Sequence, residues 1–129
     1  TTFNKLITQS DIISIHVPHT KETNQMFDME IFKKMKNTAF LINTSRGKVV
    51  NEKDLGVALK QKIIAGAGLD VFETEPINKN HPFIKLENIV LAPHVGSSTK
   101  ETRIKMAEIT TENLILGMKG KKPIYSIGY

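Results

Sequence analysis

The sequence predicts an α/β fold: a parallel sheet of about four strands with flanking helices, forming part of a doubly wound domain. Short apolar, β-branched segments alternate along the chain with segments whose apolar residues recur at helical spacing. Such alternation is typical of right-handed β-α-β units, whose strands run parallel. In addition, no G-x-G-x-x-G motif occurs in the 129 residues. We therefore expect only part of a doubly wound domain, without its phosphate-binding loop.

The first predicted helix and strand lie before residue 18. Residues 2–9 place their apolar side chains on one side, which predicts the end of a helix. The β-branched segment 11–17 predicts the first strand. Pro18 ends this strand because proline cannot donate to a sheet ladder.

Two helices and a strand follow. Asp28 can cap a short helix over residues 29–35, and residues 38–43 predict the second strand. Asn51 can cap the next helix, over residues 52–62. Gly56 inside this helix costs about 1 kcal/mol relative to alanine. Either packing requires a small residue there or the predicted helix boundary is wrong.

The last elements are two strands and a long helix. Residues 65–72 predict the third strand, whose glycines would allow close approach by a helix or a ligand, and residues 88–92 predict the fourth. Ser98 and Glu101 have the spacing of a capping box, which predicts a helix over residues 99–118. One side of this helix carries a stripe that recurs with a 3.6-residue period, formed by Ile104, Ala107, Thr111, Leu114, Ile115 and Met118.

The composition limits the classes of protein. With 40% apolar and 24% charged residues, the chain is typical of a globular protein. Cysteine is absent, which excludes disulfides and thiol chemistry and is consistent with a cytoplasmic location. The net charge is +5, but the lysines are scattered, so we expect a basic surface and no nucleic-acid partner. No apolar segment approaches the ~18 residues of a membrane span, and we expect no membrane partner. Because the chain begins with threonine, we expect a piece of a longer protein.

Three ionisable residues follow three of the predicted strands. Arg46 follows residues 40–45, Glu75 follows residues 69–74, and His94 follows Ile89 to Pro93. Because the carboxyl ends of parallel strands meet at one edge of the sheet, we expect these side chains to converge there.

The three residue types suit the reduction of a 2-oxo acid. Arginine binds a carboxylate through two parallel hydrogen bonds. Histidine exchanges a proton near neutral pH, and a carboxylate bonded to its second nitrogen fixes the tautomer and stabilises the imidazolium. We therefore predict that Arg46 holds the substrate while His94, paired with Glu75, protonates the carbonyl oxygen.

Four linked segments resemble the motifs of one family. HVPHT, INTSRGKVVNE, AGAGLDVFETEP and LAPHVGSST are similar, in order and spacing, to motifs of the D-isomer-specific 2-hydroxyacid dehydrogenases, which include glyoxylate, hydroxypyruvate and phosphoglycerate oxidoreductases. The resemblance implies that residues 1–118 are the C-terminal part of a Rossmann-type NAD(P)-binding domain and that residues 119–129 are a C-terminal tail. It also implies an oxidoreductase that binds NAD or NADP, acts on a small 2-oxo or 2-hydroxy acid and forms a homo-oligomer.

The resemblance assigns roles to individual residues. Arg46, Glu75 and His94 fall on the family's catalytic arginine, acid and histidine. The implied cofactor contacts are Pro18, Thr44, Ser45, Arg46, Asp70, His94, Val95, Gly96 and Ser97. Metal ligands are not expected.

Simpler structural roles remain open for several residues. Asp70 could instead hydrogen-bond within the sheet, and Glu73 competes with Glu75 for the role of the acid, although we interpret Glu73 as solvated surface. His16, His19 and His81 are expected to be structural or solvent-facing because they lack metal-ligand spacing. The five methionines are expected to fill the core.

Other functions also remain open. A non-enzymatic corepressor of the same family would keep the arginine, glutamate and histidine. A formate dehydrogenase relative is disfavoured because glutamine is typical there at the position of Glu75. The substrate, and the choice between NAD and NADP, are not predicted. We expect the chain alone to be inactive and to self-associate through the exposed edge of its first strand.

Overall fold

The computed structural model describes residues 1–126 and contains one parallel sheet of four strands in the order β1-β2-β3-β4. All three strand pairings are parallel. The strands are β1 (Ile12–Ile15), β2 (Phe40–Asn43), β3 (Gly66–Leu69) and β4 (Ile89–Leu91). The helices are α1 (Phe3–Gln9), α2 (Met29–Lys34), α3 (Glu52–Lys60) and α4 (Lys100–Met118), with 3₁₀ turns at Gly47–Val49 and Pro82–Lys85. The predicted α/β class with a parallel sheet is confirmed.

The chain divides into two compact units, Thr1–His94 and Val95–Tyr129. The first contains the whole sheet with α1, α2 and α3, and the second contains α4. The predicted boundary after residue 118 concerns the domains of a complete enzyme and stays a prediction. Within the described residues, no helix is long and apolar enough to cross a membrane.

Each strand is shorter than the apolar segment that predicted it. The first strand, for example, was expected over residues 11–17 but pairs only from Ile12 to Ile15, opposite Phe40 to Asn43. Likewise, Val71 and Phe72 lie beyond the end of β3, yet both are buried. An apolar sequence segment indicates which residues are buried, and residues can remain buried in a loop after strand pairing has ended.

One face of the sheet is packed and the other is open. The buried residues of β1 and β2 alternate with exposed ones, and Ile12, Phe40 and Val90 on the open face are 65%, 47% and 72% exposed. The packed face forms the core together with α2 and α3, whose buried residues include Phe32, Leu55, Ala58 and Leu59. Strand β1 lies at one edge of the sheet, as expected, and the self-association of the chain stays a prediction.

The glycines of β3 make room for side chains of β2. A Cβ atom on Gly66 would lie 2.9 Å from the ring of Phe40, and one on Gly68 would lie 3.1 Å from Cδ1 of Ile42. The expectation that these glycines also admit a helix or a ligand stays a prediction. Their lack of a side chain serves packing between neighbouring strands on the open face.

The short helices begin where the sequence predicted. Asp28 Oδ1 accepts a hydrogen bond from the Ile31 amide at 3.1 Å, and Asn51 Oδ1 accepts one from the Asp54 amide at 3.0 Å. Each side chain satisfies an amide that has no partner within its helix. Helix α3 ends at Lys60, two residues before the predicted end.

Gly56 lies inside α3, so the predicted helix boundary was correct at this position. A Cβ atom there would lie 3.5 Å from Cε1 of Phe83, which is an ordinary van der Waals contact. Because alanine restricts the unfolded chain more than glycine, we expect Gly56→Ala to raise the free energy of unfolding by about 0.5–1 kcal/mol. Urea denaturation of parent and variant measures the change.

Gly66→Ala is the matched control, because its Cβ would lie 2.9 Å from the Asn88 carbonyl oxygen. We expect this variant to be less stable than the parent. A loss of stability in Gly56→Ala would show that the contact with Phe83 requires a glycine.

Helix α4 begins one residue later than the capping box predicted. Thr99 is its N-cap and accepts a hydrogen bond at Oγ1 from the Thr102 amide at 3.2 Å. Ser98 instead accepts a hydrogen bond at Oγ from Arg103 Nη2 at 2.8 Å. The capping box at Ser98 and Glu101 was therefore wrong.

The predicted stripe of α4 is exposed. None of its residues is buried, and the most exposed apolar side chain, Met118, has 80% of its surface accessible. Helical periodicity identifies residues that share a face, but it does not show whether another element packs against that face.

Met106 and Met118 are exposed, so the core assignment was wrong for them, whereas Met35 is buried. In the tail, the Ile124 amide donates to Asn113 Oδ1 at 2.9 Å, and residues 127–129 lie outside the described part of the chain.

Candidate active site

Arg46, Glu75 and His94 meet at the carboxyl edge of the sheet. They follow β2, β3 and β4 and line one open cleft of about 400 Å³, together with His19, Gly47, Lys48, Phe72 and Glu73. A second, mainly apolar cleft of about 470 Å³ adjoins Glu75 and His94. The expected convergence of the three side chains is thus present in the first unit.

The imidazole of His94 and the carboxylate of Glu75 form a direct pair. His94 Nδ1 lies 2.7 Å from Glu75 Oε2, and the Phe72 amide donates to Glu75 Oε1 at 3.0 Å. The hydrogen bond with His94 lowers the pKa of Glu75, and the bond from Phe72 and the charges of His94 and Arg46 act in the same direction. Because both oxygens are engaged, the carboxylate has a fixed orientation. Pairing at Nδ1 leaves the other nitrogen, Nε2, for proton exchange with a ligand.

The backbone at His94 has a left-handed conformation. Its φ angle is +56°, which is uncommon for a residue with a Cβ atom. Pro93 precedes it, and the His94 side chain is about half exposed. The chain thus turns sharply at the end of the sheet and presents the imidazole at the surface.

Asn43 shapes the turn that carries Arg46. Its Oδ1 accepts hydrogen bonds from the Ser45 amide at 3.0 Å and the Ser45 hydroxyl at 2.9 Å, and its Nδ2 donates to the Arg46 carbonyl at 3.0 Å. Asn43 is only 1% exposed. Asn43 was not predicted from the sequence, although a polar side chain inside an apolar strand segment is the signal that could have identified it. The Arg46 side chain is exposed.

Gly47 brings the loop after β2 against the loop after β3. A Cβ atom at Gly47 would lie 1.9 Å from the Phe72 carbonyl carbon and 2.4 Å from the Glu73 nitrogen. No side chain fits in that space. The absence of a side chain at Gly47 therefore sets the separation between the segments that carry Arg46 and Glu75.

Apart from His94, the residues implied as cofactor contacts fall into three groups. Pro18, Ser45 and Arg46 line an open cleft of about 620 Å³ with His16, Val17 and His19, and Thr44 is exposed next to Ser45. Asp70 is 7% exposed, directly follows β3, and donates its amide to the Asn43 carbonyl at 2.9 Å. Val95, Gly96 and Ser97 belong to the second unit and are exposed.

Glu73 was expected to be solvated surface, but it is half-buried and paired with Glu52. Its Oε1 accepts a hydrogen bond from the Glu52 amide at 3.1 Å, and its own amide donates to Glu52 Oε1 at 2.7 Å. No local pattern signals this pair, because its members are 21 residues apart.

The other histidines have structural or exposed positions. His81 Nδ1 accepts a hydrogen bond from the Phe83 amide at 3.3 Å, as a structural histidine would. His16 and His19 lie close to Ser14 Oγ and Asn24 Oδ1, at 2.8 and 2.9 Å. Within residues 1–126, no group of three histidine, aspartate or glutamate side chains could hold a metal ion.

A family model matches most of the chain. Residues 1–96 match the family described as D-isomer specific 2-hydroxyacid dehydrogenase, NAD binding domain. The chain belongs to this family. The observed sheet and the paired histidine and glutamate agree with the expectations drawn from the motifs.

Similarity to individual relatives supports the same family assignment. The chain is 56% identical over 119 residues to glyoxylate reductase of Korarchaeum cryptofilum, covering 92% of this chain and 36% of the relative. Its structure is similar to that of TT0316 protein from Thermus thermophilus, with a TM-score of 0.93 and 38% identity over 99% of this chain and 41% of the other. It is also similar to an acyclic imino acid reductase in complex with NADPH and D-Arg, with a TM-score of 0.87 and 35% identity over 96% and 39% of the two chains. The chain thus spans about a third of the length of the curated relative.

Proposed function

We propose that this chain supplies the acid/base pair, the substrate-binding arginine and part of the cofactor site of an NAD(P)-dependent 2-hydroxyacid dehydrogenase, called the complete enzyme below. The observation that carries the proposal is the 2.7 Å contact between His94 Nδ1 and Glu75 Oε2, in a cleft that Arg46 also lines. An imidazole oriented by a carboxylate, beside a guanidinium, is suited to proton transfer on a substrate that carries a carboxylate.

Each of the three side chains has one proposed role. The Arg46 guanidinium binds the substrate carboxylate through two parallel hydrogen bonds. His94 donates its Nε2 proton to the carbonyl oxygen during reduction and accepts it back from the hydroxyl group during oxidation. Glu75 stabilises the imidazolium and fixes the ring through Nδ1.

The residues at the sheet edge fit a nicotinamide dinucleotide. The largely buried carboxylate of Asp70 is a hydrogen-bond acceptor suited to an amide group, and the hydroxyl groups of Thr44 and Ser45 lie at the adjacent strand end. Pro18, Arg46 and their neighbours add an open cleft of about 620 Å³. When bound, the nicotinamide supplies or takes up the hydride at C2 of the substrate. The proposed contacts also include His94, Val95, Gly96 and Ser97.

The proposed substrates are small 2-oxo acids, of which glyoxylate is suggested by the similarity to a glyoxylate reductase. The complete enzyme is proposed to be a homo-oligomer, and the 129-residue chain by itself is expected to be inactive. The test is the oxidation of NADH and NADPH by the complete enzyme with glyoxylate or hydroxypyruvate. Turnover supports the proposal. Cofactor binding without turnover on any 2-oxo acid would instead favour a corepressor-like regulator.

Glu75→Gln in the complete enzyme is expected to shift the pH profile of reduction. Reduction requires a protonated His94, and the variant lacks the carboxylate charge that stabilises the imidazolium. We therefore expect the alkaline limb of the kcat profile to move to lower pH. Steady-state rates between about pH 5 and 10, a range that spans the titration of histidine, measure the shift.

Glu73→Gln is the matched control for this experiment. An amide oxygen at position 73 can still accept the hydrogen bond from the Glu52 amide, and Glu73 is not the carboxylate that faces His94. The profile of this variant is expected to follow the parent. A shift in Glu73→Gln but not in Glu75→Gln would identify Glu73 as the acid and contradict the assignment.

A further inference from the structure

We propose that Glu73, through its reciprocal hydrogen bonds with Glu52, is a positioning residue that holds Glu75 in place for His94. This inference rests on the proposed function, because it concerns how the acid/base pair is kept in its geometry. Glu73 itself faces the start of α3, and it acts through Glu75, two residues further along the chain.

The link between Glu52 and Glu73 joins two separate segments. The Glu73 carboxylate accepts a hydrogen bond from the Glu52 amide at 3.1 Å, and the Glu52 carboxylate accepts one from the Glu73 amide at 2.7 Å. Glu52 is the first residue of α3, and its amide has no partner within the helix. Glu73 therefore satisfies a helix amide while its own backbone is tied to the same residue.

The segment that Glu73 anchors is the one that orients Glu75. The Phe72 amide donates to Glu75 Oε1 at 3.0 Å, and the Phe72 carbonyl and the Glu73 nitrogen pack directly against Gly47. Residues 72–73 are thus held by Gly47 on one side and by α3 on the other. The Glu75 carboxylate is bonded to this fixed backbone and presents its other oxygen, Oε2, to His94.

Burial and like charge both disfavour the ionised form of Glu52 beside Glu73. Burial raises the pKa of Glu52, and the nearby charge of Glu73 raises it further, while the hydrogen bond from the Glu73 amide and the interaction with His81 oppose these effects. His81 Nε2 lies 3.4 Å from Glu52 Oε2, and because Nδ1 accepts the Phe83 amide hydrogen, Nε2 is the nitrogen that carries the proton in the neutral ring. A proton donor therefore faces the second oxygen of Glu52 and offsets the repulsion between the two carboxylates.

Removing the Glu73 carboxylate tests the proposal in the complete enzyme. Glu73→Ala deletes the acceptor for the Glu52 amide, so we expect residues 72–75 to loosen and Glu75 to leave its optimal position. Since a displacement of about 1 Å can cost up to 10²-fold in rate, we expect kcat to fall by roughly tenfold. The KM for the cofactor should change little, because Glu73 is outside the cleft that Pro18 and Ser45 line.

Three further measurements separate positioning from a general structural role. The alkaline limb of the kcat profile should shift down in Glu73→Ala, as in Glu75→Gln. Amide hydrogen exchange over residues 72–75 should become faster. Glu73→Gln should restore the rate, the profile and the exchange, because its amide oxygen replaces the lost acceptor. Glu87→Ala, at an exposed loop position, is the control and should match the parent.

The outcomes distinguish this inference from the proposed function. If Glu75→Gln and His94→Ala impair reduction but Glu73→Ala leaves the pH profile and the exchange unchanged, Glu73 is not a positioning residue and only this inference fails. If Glu75→Gln and His94→Ala leave reduction intact, the proposed function fails first. If Glu73→Ala lowers the rate only in proportion to a loss of folded protein, with an unchanged pH profile, its role is structural and the inference is again overturned.

Discussion

Replacing His94 with alanine in the complete enzyme is expected to lower kcat by about 10²–10⁴, the usual contribution of a general acid or base. The variant keeps Arg46 and the other residues proposed to contact the cofactor, but it lacks the group that exchanges a proton with the substrate oxygen. KM values for substrate and cofactor should change much less than kcat. Steady-state kinetics in both reaction directions measure these effects.

His94→Asn is the appropriate companion variant. The backbone at position 94 has φ +56°, a conformation that asparagine adopts more readily than alanine. Both variants lack the imidazole, so both should be impaired to a similar extent, whereas a backbone defect would affect the alanine variant more. Near-normal turnover in either purified, folded variant would contradict the assignment of His94 as the acid/base.

Gly47→Ala is expected to cause the largest loss of stability. The added Cβ would lie 1.9 Å from the Phe72 carbonyl carbon and 2.0 Å from its oxygen, distances that only a displacement of backbone can relieve. Overpacking of buried sites typically costs about 1–3 kcal/mol, and because the obstacle here is main chain, we expect a loss of about 3 kcal/mol or more. Such a loss is a large part of the ~5–15 kcal/mol that stabilises a typical domain. Urea denaturation followed by circular dichroism measures it.

Gly117→Ala provides the control for this experiment. Gly117 lies in α4, and apart from its chain neighbours and the helix's own backbone no atom is within 4 Å of the position that its Cβ would occupy, so this substitution should be neutral or stabilising. If Gly47→Ala retained the stability of the parent, the loops that carry Arg46 and Glu75 would not be in the close contact described above.

The sequence predicted which segments form the sheet but not where pairing ends. Apolar, β-branched composition located all four strands, since burial selects those residues. The limits of β3 depend on where its neighbours diverge, and Val71 and Phe72 remain buried after the strand has ended. The face of α4 illustrates a related limit, because its periodicity is present although the face is exposed. Whether an apolar stripe is covered depends on elements far away in the sequence.

The candidate site was predictable where it depends on topology alone. Parallel strands bring their carboxyl ends together, so Arg46 and His94 could be placed at one edge from the order of the elements. Asn43 and Glu73 were not predicted as contributors. Asn43 acts through backbone groups of the turn that follows it, and Glu73 acts on an amide 21 residues away. Such roles depend on how loops approach one another, which no local pattern encodes.

The close contact between Gly47 and the backbone of Phe72 has a consequence for how such a site can evolve. The distance between the arginine loop and the glutamate loop is set by main-chain atoms, which are the same whatever side chains surround them. The exposed side chains of His19 and Lys48, which line the same cleft, can be replaced without altering that spacing. Substitutions at the rim of the cleft could therefore change the proposed substrate preference without altering the spacing of the loops proposed to serve proton transfer.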